Sequence, residues 1–198
     1  SDEQDLYNDV QTGVIGASHQ YFYNKDTYSK FSVAFTTIGN YTKVDTLNHT
    51  RDQLSPAYRQ EFREDNIQLS AFINRKFNAR NVIRAGAFVT YKNYNLSDST
   101  YDGDINAFRT LRDQQSTDML YQPYVNWQHR FTDKLEMNAG LHSMILASSG
   151  NFALEPRLGI SYKMSEVQSV NFGYGLHSQI PNVAILYDQI LLPDGTYL

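Results

Sequence analysis

The chain has 198 residues, 41% hydrophobic and 19% charged, which suits one folded domain or one slab of a larger one. Its net charge of -4 comes with no basic block that would attract nucleic acid, and the absence of cysteine removes disulfides, thiolate metal sites and cysteine catalysis together. No apolar run exceeds about five residues (183–187), so a transmembrane helix of about 20 apolar residues is excluded, but transmembrane strands are not.

Eight strands are predicted in chain order. The first covers residues 14–23 and the second 31–41. The third covers 67–77, where Leu69, Ala71 and Ile73 oppose Gln68, Ser70 and Asn74. The fourth covers 82–91. In the fifth, 120–131, Val125, Trp127 and Phe131 oppose Asn126, Gln128 and Arg130. In the sixth, 135–146, Leu135, Met137, Ala139, Leu141 and Ile145 oppose Glu136, Asn138, Gly140 and His142. The seventh and eighth, 154–164 and 169–179, form the clearest hairpin. Its outward set is Leu158, Ile160, Tyr162, Val170, Phe172 and Tyr174. Its inward set is Glu155, Arg157, Ser161, Lys163, Asn171 and His177. Period two sustained in this way gives a strand one oily face and one wet face.

The connections alternate in length. Short turns are expected at 24–30, 78–81, 132–134 and 165–168, each with Asn, Asp or Ser at turn positions. The other links, 42–66, 92–119 and 147–153, include two that are long and polar. Short turns at one end and long loops at the other are a mark of outer-membrane barrels. Ser55-Pro56 followed by residues 57–63 predicts a short helix inside the first long link, and 104–115 predicts a second. Pro123 and Pro156 fall near strand starts, where proline is tolerated.

The chain carries 15 Tyr, 11 Phe and a single Trp. Tyr23, Tyr28, Phe31, Phe77, Phe131 and Tyr162 fall beside the short turns, whereas Tyr41, Tyr91, Tyr94, Tyr121 and Tyr124 fall toward the long links. These two sets are expected to form aromatic girdles at two membrane interfaces.

Chemistry-bearing motifs are scarce. There is no phosphate loop, no His-Glu-x-x-His and no Gly-x-Ser-x-Gly. His19, His49, His129, His142 and His177 lack metal-ligand spacing, although His142 and His177 share the polar face of neighbouring hairpins. Asp102, Asp104 and Asn106 place oxygens at alternate positions, but Ala107 stands where a calcium loop needs glycine. Asn40-Tyr41-Thr42, Asn48-His49-Thr50 and Asn95-Leu96-Ser97 match the glycosylation triplet, a pattern frequent by chance. Glu155 with Arg157, and Glu136 with Lys163, read as charges along a wet wall. The expectation is a non-enzyme with no catalytic, cofactor or metal site. His177 with Ser178, the nearest approach to a hydrolase pair, has no recognisable third member.

Leu154-Glu155-Pro156-Arg157-Leu158-Gly159-Ile160-Ser161-Tyr162, continued by Ser169-Val170-Asn171-Phe172-Gly173-Tyr174-Gly175-Leu176-His177-Ser178-Gln179, resembles the mid-barrel of TonB-dependent outer-membrane receptors. The likeness is to the type with a carboxypeptidase-like regulatory domain, and Gln122-Pro123-Tyr124-Val125-Asn126-Trp127 shares it. The resemblance implies a wall segment of a large closed barrel in the outer membrane of a Gram-negative bacterium. It further implies import of a scarce nutrient energised by TonB, a plug domain, contact with outer-membrane lipid and a possible surface lipoprotein. Residues 1–198 would then be one partial barrel, without plug, TonB box or terminal aromatic strand. The polar start and the turn-like end at 192–198 suggest a piece cut from a longer protein. The alternative is a self-contained eight-stranded outer-membrane barrel that binds through its loops. The fold class expected in either case is all-β: an antiparallel up-and-down meander of about eight strands, part of a transmembrane β-barrel.

Overall fold

The computed structural model describes residues 3–47 and 54–180. The apolar run 183–187, the triplet Asn48-His49-Thr50 and the end at 192–198 lie outside these residues. The described chain is one antiparallel sheet of eight strands, each paired with its sequence neighbours, in the order β1 to β8. The strands are β1 (Glu3–Asn24), β2 (Thr27–Leu47), β3 (Leu54–Asn78), β4 (Asn81–Asp102), β5 (Ala107–Arg130), β6 (Leu135–Leu146), β7 (Phe152–Lys163) and β8 (Ser169–Gly175). No helix occurs among the described residues.

Four tight turns set the register. Lys25-Asp26 joins β1 to β2, and the Asp26 amide donates to Asn24 Oδ1 at 2.9 Å. Ala79-Arg80 joins β3 to β4, where Asn78 Oδ1 accepts from the Arg80 amide, also at 2.9 Å. Thr132 Oγ1 and Ser165 Oγ do the same for the turns after β5 and β7. A short polar side chain thus satisfies the turn amide that the ladder leaves open.

Two expectations fail, for one reason. The predicted helix at 55–63 is strand, the one at 104–115 is the end of a tight turn followed by strand from Ala107, and the long links are largely strand as well. Residues 92–119 are the upper halves of β4 and β5 around a tight turn at 103–106, where Asn106 takes the left-handed conformation (φ 55°). Tyr58 and Phe62 lie four residues apart, a spacing that puts two side chains on one face of a helix or of a strand. Pairing across the sheet decides for the strand: Tyr58 faces Thr100 and Phe62 faces Leu96. Strands of 21 to 25 residues in β1–β5 replace strands of about ten. The expected sorting of loops by length is therefore an overhang of paired strands instead.

The prolines follow the same correction. Pro123 sits deep inside β5, opposite Ala87, rather than near the strand's start. The β5–β6 pairing skips from Tyr121–Ile145 to Tyr124–His142, which leaves Pro123 without the ladder bond it cannot donate. Pro156 is the fifth residue of β7, opposite Leu141.

The turns are not level. One line of paired residues runs from Thr27 through Arg75, Ile83, Trp127 and Ala139 to Leu158. Thr27 opens β2, but β7 continues five residues past Leu158 to Lys163. A shift of five residues over five pairings, at about 3.3 Å per residue and about 4.8 Å between strands, leans the strands by roughly 35° to the line of turns.

Gly86 marks the closest backbone approach in the sheet. A Cβ there would meet Ala71 O at 2.5 Å and Phe72 Cβ at 2.6 Å. Neither can move without distorting β3. Gly86→Ala is expected to cost about 1–3 kcal/mol in urea unfolding followed by circular dichroism.

Candidate functional site

The two faces of the sheet differ, and each changes character partway up. On β4 the odd positions Ile83, Ala85, Ala87, Val89 and Tyr91 are all apolar, and then Asn93, Asn95, Ser97 and Ser99 are all polar. The pairing carries this boundary straight across the neighbouring strands. The row Phe35–Ile67–Tyr91–Met119 is apolar, and the next outward row is Thr37–Asp65–Asn93–Thr117. Two rows further on stand Tyr41, Glu61, Ser97 and Asp113. Below the boundary lies a belt of exposed apolar side chains, among them Phe31, Leu69, Val125, Leu141, Ile160 and Phe172.

The opposite face changes in burial. Level with the belt it is mostly polar: Ser32, Gln68, Thr90 and Asn126, with Glu136 and Arg157 further along. Above the belt it is more deeply packed and mixed in character. Tyr94 and Leu96 are buried, the latter 2% exposed, Tyr58 and Phe62 stand half-buried beside them, and Glu64, Lys92, Asp98 and Asp118 share the layer. Among the described residues, six of the nine buried side chains lie on this face of β4 and β5, and Glu155 adds a seventh on β7. Side chains crowd on the inside of a curved surface and splay on the outside, so the sheet curls toward this face.

The expected aromatic girdles are partly redrawn. Phe31, Phe131 and Tyr162 are exposed on the belt face. Trp127 joins them beside the turns, donating to Asn81 Oδ1 at 3.1 Å and packing on His129, which in turn packs on Phe131. Tyr28, Tyr94 and Tyr124 point to the other face: Tyr28 packs on Phe72, Tyr94 is buried and Tyr124 stacks on Phe88. Tyr41 keeps the outward side but stands six residues above Phe35, beyond the belt.

The packed upper layer contains several charged groups: Lys92 pairs with Glu64 at 3.1 Å, Asp118 is buried, and Asp98 lies deepest. Asp98, 2% exposed, accepts from Arg112 Nε at 2.7 Å and from the Tyr58 hydroxyl at 3.2 Å. Burial first, and then the Asp98 carboxylate, push the Tyr58 phenol above its ordinary value. The neutral phenol is therefore favoured in the fold. Its contribution is whole below the ordinary tyrosine range and is lost as pH rises through the raised folded value. Urea titrations should find the stability gap between the native chain and Tyr58→Phe narrowing above a pH of about 10.

At belt level, a single row on the polar face runs Phe22–Tyr28–Asn74–Arg84–Asn126–Gly140–Arg157–Gly175 across all eight strands. Arg84 is held by Asn74 Oδ1 and the Tyr28 hydroxyl, both at 3.3 Å, and lies 4.9 Å over the Phe72 ring. Gly140 leaves the space into which the Asn126 amide lies; a Cβ there would meet Asn126 Oδ1 at 2.5 Å. Gly140 and Gly159 floor a groove of about 480 Å³ with Arg84 and Arg157 on its walls, and a second hollow toward Phe88 and Tyr124 shares both arginines.

One row higher, Glu155 gathers three donors. It bonds His142 Nδ1 at 2.9 Å, Arg157 Nη2 at 2.8 Å and the Ser178 amide at 2.7 Å. The structure thus joins the expected Glu155–Arg157 pair and gives His142 a carboxylate partner. Glu136 bonds Gln128 and Asn138, whereas Lys163 bonds Glu166 in the adjoining turn. Asp102 caps the Asp104 amide and pairs with Arg109 at 3.5 Å, so these oxygens serve the turn rather than converge on an ion. Among the described residues no three His, Asp or Glu side chains are arranged to hold a metal.

The groove was not named from the sequence. Arg84, Asn126 and Arg157 are distant along the chain, and only the register aligns them. A count from the tight turns does not align them, since Arg84 is the fourth residue of β4, Asn126 the fifth from the end of β5 and Arg157 the seventh from the end of β7.

The class of protein defined here is an all-β, eight-stranded up-and-down sheet with an oily belt on one face and a polar groove on the other. Compared with known proteins, the chain matches no family model and no curated protein.

Proposed function

We propose that this chain is part of the wall of a water-filled outer-membrane barrel, of the TonB-dependent receptor type, that imports a scarce nutrient. The observation that carries this reading is the change of both faces at one level of the sheet, the outward one in polarity and the inward one in burial. A soluble sheet buries one face throughout its length. Here the outward face is oily for about nine residues, the reach of a tilted membrane strand, and charged beyond. The inward face is polar and open at belt level and is packed above it, where its charged groups are paired. Lipid outside and water inside account for the lower part, and water outside with a packed interior for the upper. A strand lean of roughly 35° also fits barrel geometry. The hairpin likeness at 154–179 supports the receptor type. TonB, a plug domain and a surface lipoprotein belong to this proposal as partners, and the role is transport rather than catalysis.

A self-closed eight-stranded barrel is the weaker reading. It would have to seal β1, with 22 residues, against β8, with 7. The mismatch leaves most of the β1 edge open, whereas further strands of a larger barrel would cover it.

Spin labels placed singly along β4 in lipid vesicles test the wall. Labels at 83, 85, 87 and 89 should relax with oxygen dissolved in lipid, and those at 93, 95 and 97 with a water-soluble nickel complex. Labels at 94 and 96 should meet neither. Aqueous access at 85 and 87 would sink the membrane reading. The receptor type falls separately if the parent reading frame encodes no plug-sized region before the barrel.

A further inference from the structure

Resting on the reading of the polar face as the wet side of a barrel wall, we infer that the groove between Arg84 and Arg157 binds an acidic saccharide. The groove carries two guanidinium groups on a chain whose net charge is -4: Arg84, held by neutral partners, and Arg157, paired with Glu155 at 2.8 Å but 48% exposed. No carboxylate lines it, and Glu155, beside Arg157, is 2% exposed with its oxygens taken by three donors. Arg84 is pre-positioned: Asn74, Tyr28 and Phe72 fix its guanidinium, so little rotamer freedom remains to be lost on binding. A guanidinium has five N–H donors in a fork that matches a carboxylate.

The remaining walls select among anions. Asn74, Asn126, Gln128 and Asn138 line it with amides; Asn74 accepts from Arg84, and Gln128 and Asn138 each donate one N–H to Glu136, which leaves every amide a further donor and acceptor site. A phosphate or sulfate would satisfy only the donors. Hydroxyl groups donate and accept, and so satisfy both. Phe88 and Tyr124 are stacked, 24° from parallel at 5.6 Å, and Tyr124 sits one row above Asn126. They form an apolar ledge suited to the C–H face of a sugar ring. Arg84 and Arg157 stand three strand spacings apart, about 14 Å, with Asn126 and Gly140 between them, the Asn126 amide lying over Gly140. That length admits several rings rather than one.

The test uses the full 198-residue chain in phosphatidylcholine vesicles, with insertion verified by the β4 spin labels. The probes are a trisaccharide of galacturonic acid, its neutral galactose counterpart and a heptapeptide of Asp and Glu, each titrated by calorimetry. The acidic trisaccharide should bind, weakening several-fold as salt is raised. Arg84→Gln and Arg157→Gln should each weaken it at least tenfold without changing insertion. Gly140→Ser, which displaces the Asn126 amide, should weaken it as well. Equal binding of the neutral sugar overturns the assignment, and so does equal binding of the acidic peptide, which would mark the groove as the seat of a protein segment. No binding to a correctly inserted chain overturns the site alone. Failure to insert overturns the barrel reading, and the site falls with it.

Discussion

Leu69→Arg should destabilise the folded chain in a bilayer by about 2–4 kcal/mol, whereas Ser97→Arg should change it by less than about 0.5 kcal/mol. Both positions face the same way. Leu69 is 40% exposed and sits in the row Val33–Leu69–Val89–Tyr121, inside the oily belt. An arginine there must carry its charge into hydrocarbon or bend its stem toward an interface about two rows away. Ser97 lies three rows above Tyr91, between Glu61 and Asp113. An arginine at that point meets water and two carboxylates. Reversible folding into vesicles, titrated with urea, gives both values. A soluble protein would reverse the expectation for Leu69. With no bilayer its side chain is already solvent-facing, and arginine would be close to neutral. Equal, small effects at both sites would therefore remove the lipid belt.

The sequence made the lower half of the fold legible and hid the upper half. Between the tight turns and the belt's upper edge, apolar residues keep one phase, so residues such as Leu135, Met137, Ala139 and Leu141 announce both strand and facing. Above the edge the phase is lost. Asp65, Arg63 and Glu61 continue the outward side of Ile67 and Leu69, whereas the other side mixes Phe62 and Tyr58 with Asn66, Glu64 and Gln60. A reader tracking one oily face sees the pattern stop at that point and infers a loop. Propensity then fills the gap with helices, since Ser55-Pro56 is a fair helix start and a four-residue spacing suits either structure. Only the pairing partners distinguish the two, and these lie 34 to 42 residues away along the chain.

The groove was hidden for a related reason. Its charged members are ordinary one at a time, since Arg157 reads as one charge on a wet face and nothing in the pattern singles out Arg84. What makes them a site is the register that sets Asn126 and Gly140 between them. Glycine was legible as a break in alternation, but its purpose at 140 depends on where the Asn126 amide lies.

Truncating the packed upper layer should cost as much as charging the belt, and should do so irrespective of lipid. Leu96 is 2% exposed and faces Phe62 on β3 and Gln114 on β5. Leu96→Ala is expected to lose about 2–5 kcal/mol, the transfer term plus the cavity left in a layer fixed by paired backbones. Asp98→Ala should lose about 3 kcal/mol, because the Arg112 guanidinium, only 25% exposed, keeps its charge and loses its carboxylate. Asp98→Asn should recover part of that, since an amide oxygen can still accept from the Tyr58 hydroxyl. The two sites lie two residues apart on one face, so the double variant should fall short of the sum. The control is Leu69→Ala on the belt. There, lipid tails flow into the space that the removed methyls leave, so the cavity term is absent and the cost in a bilayer stays below that of Leu96→Ala. Urea titrations of all five variants, in vesicles and again in detergent, separate the two layers. If Leu96→Ala proved no costlier than Leu69→Ala, the upper layer would not be packed, and the change of phase at Tyr91 would lose its physical meaning.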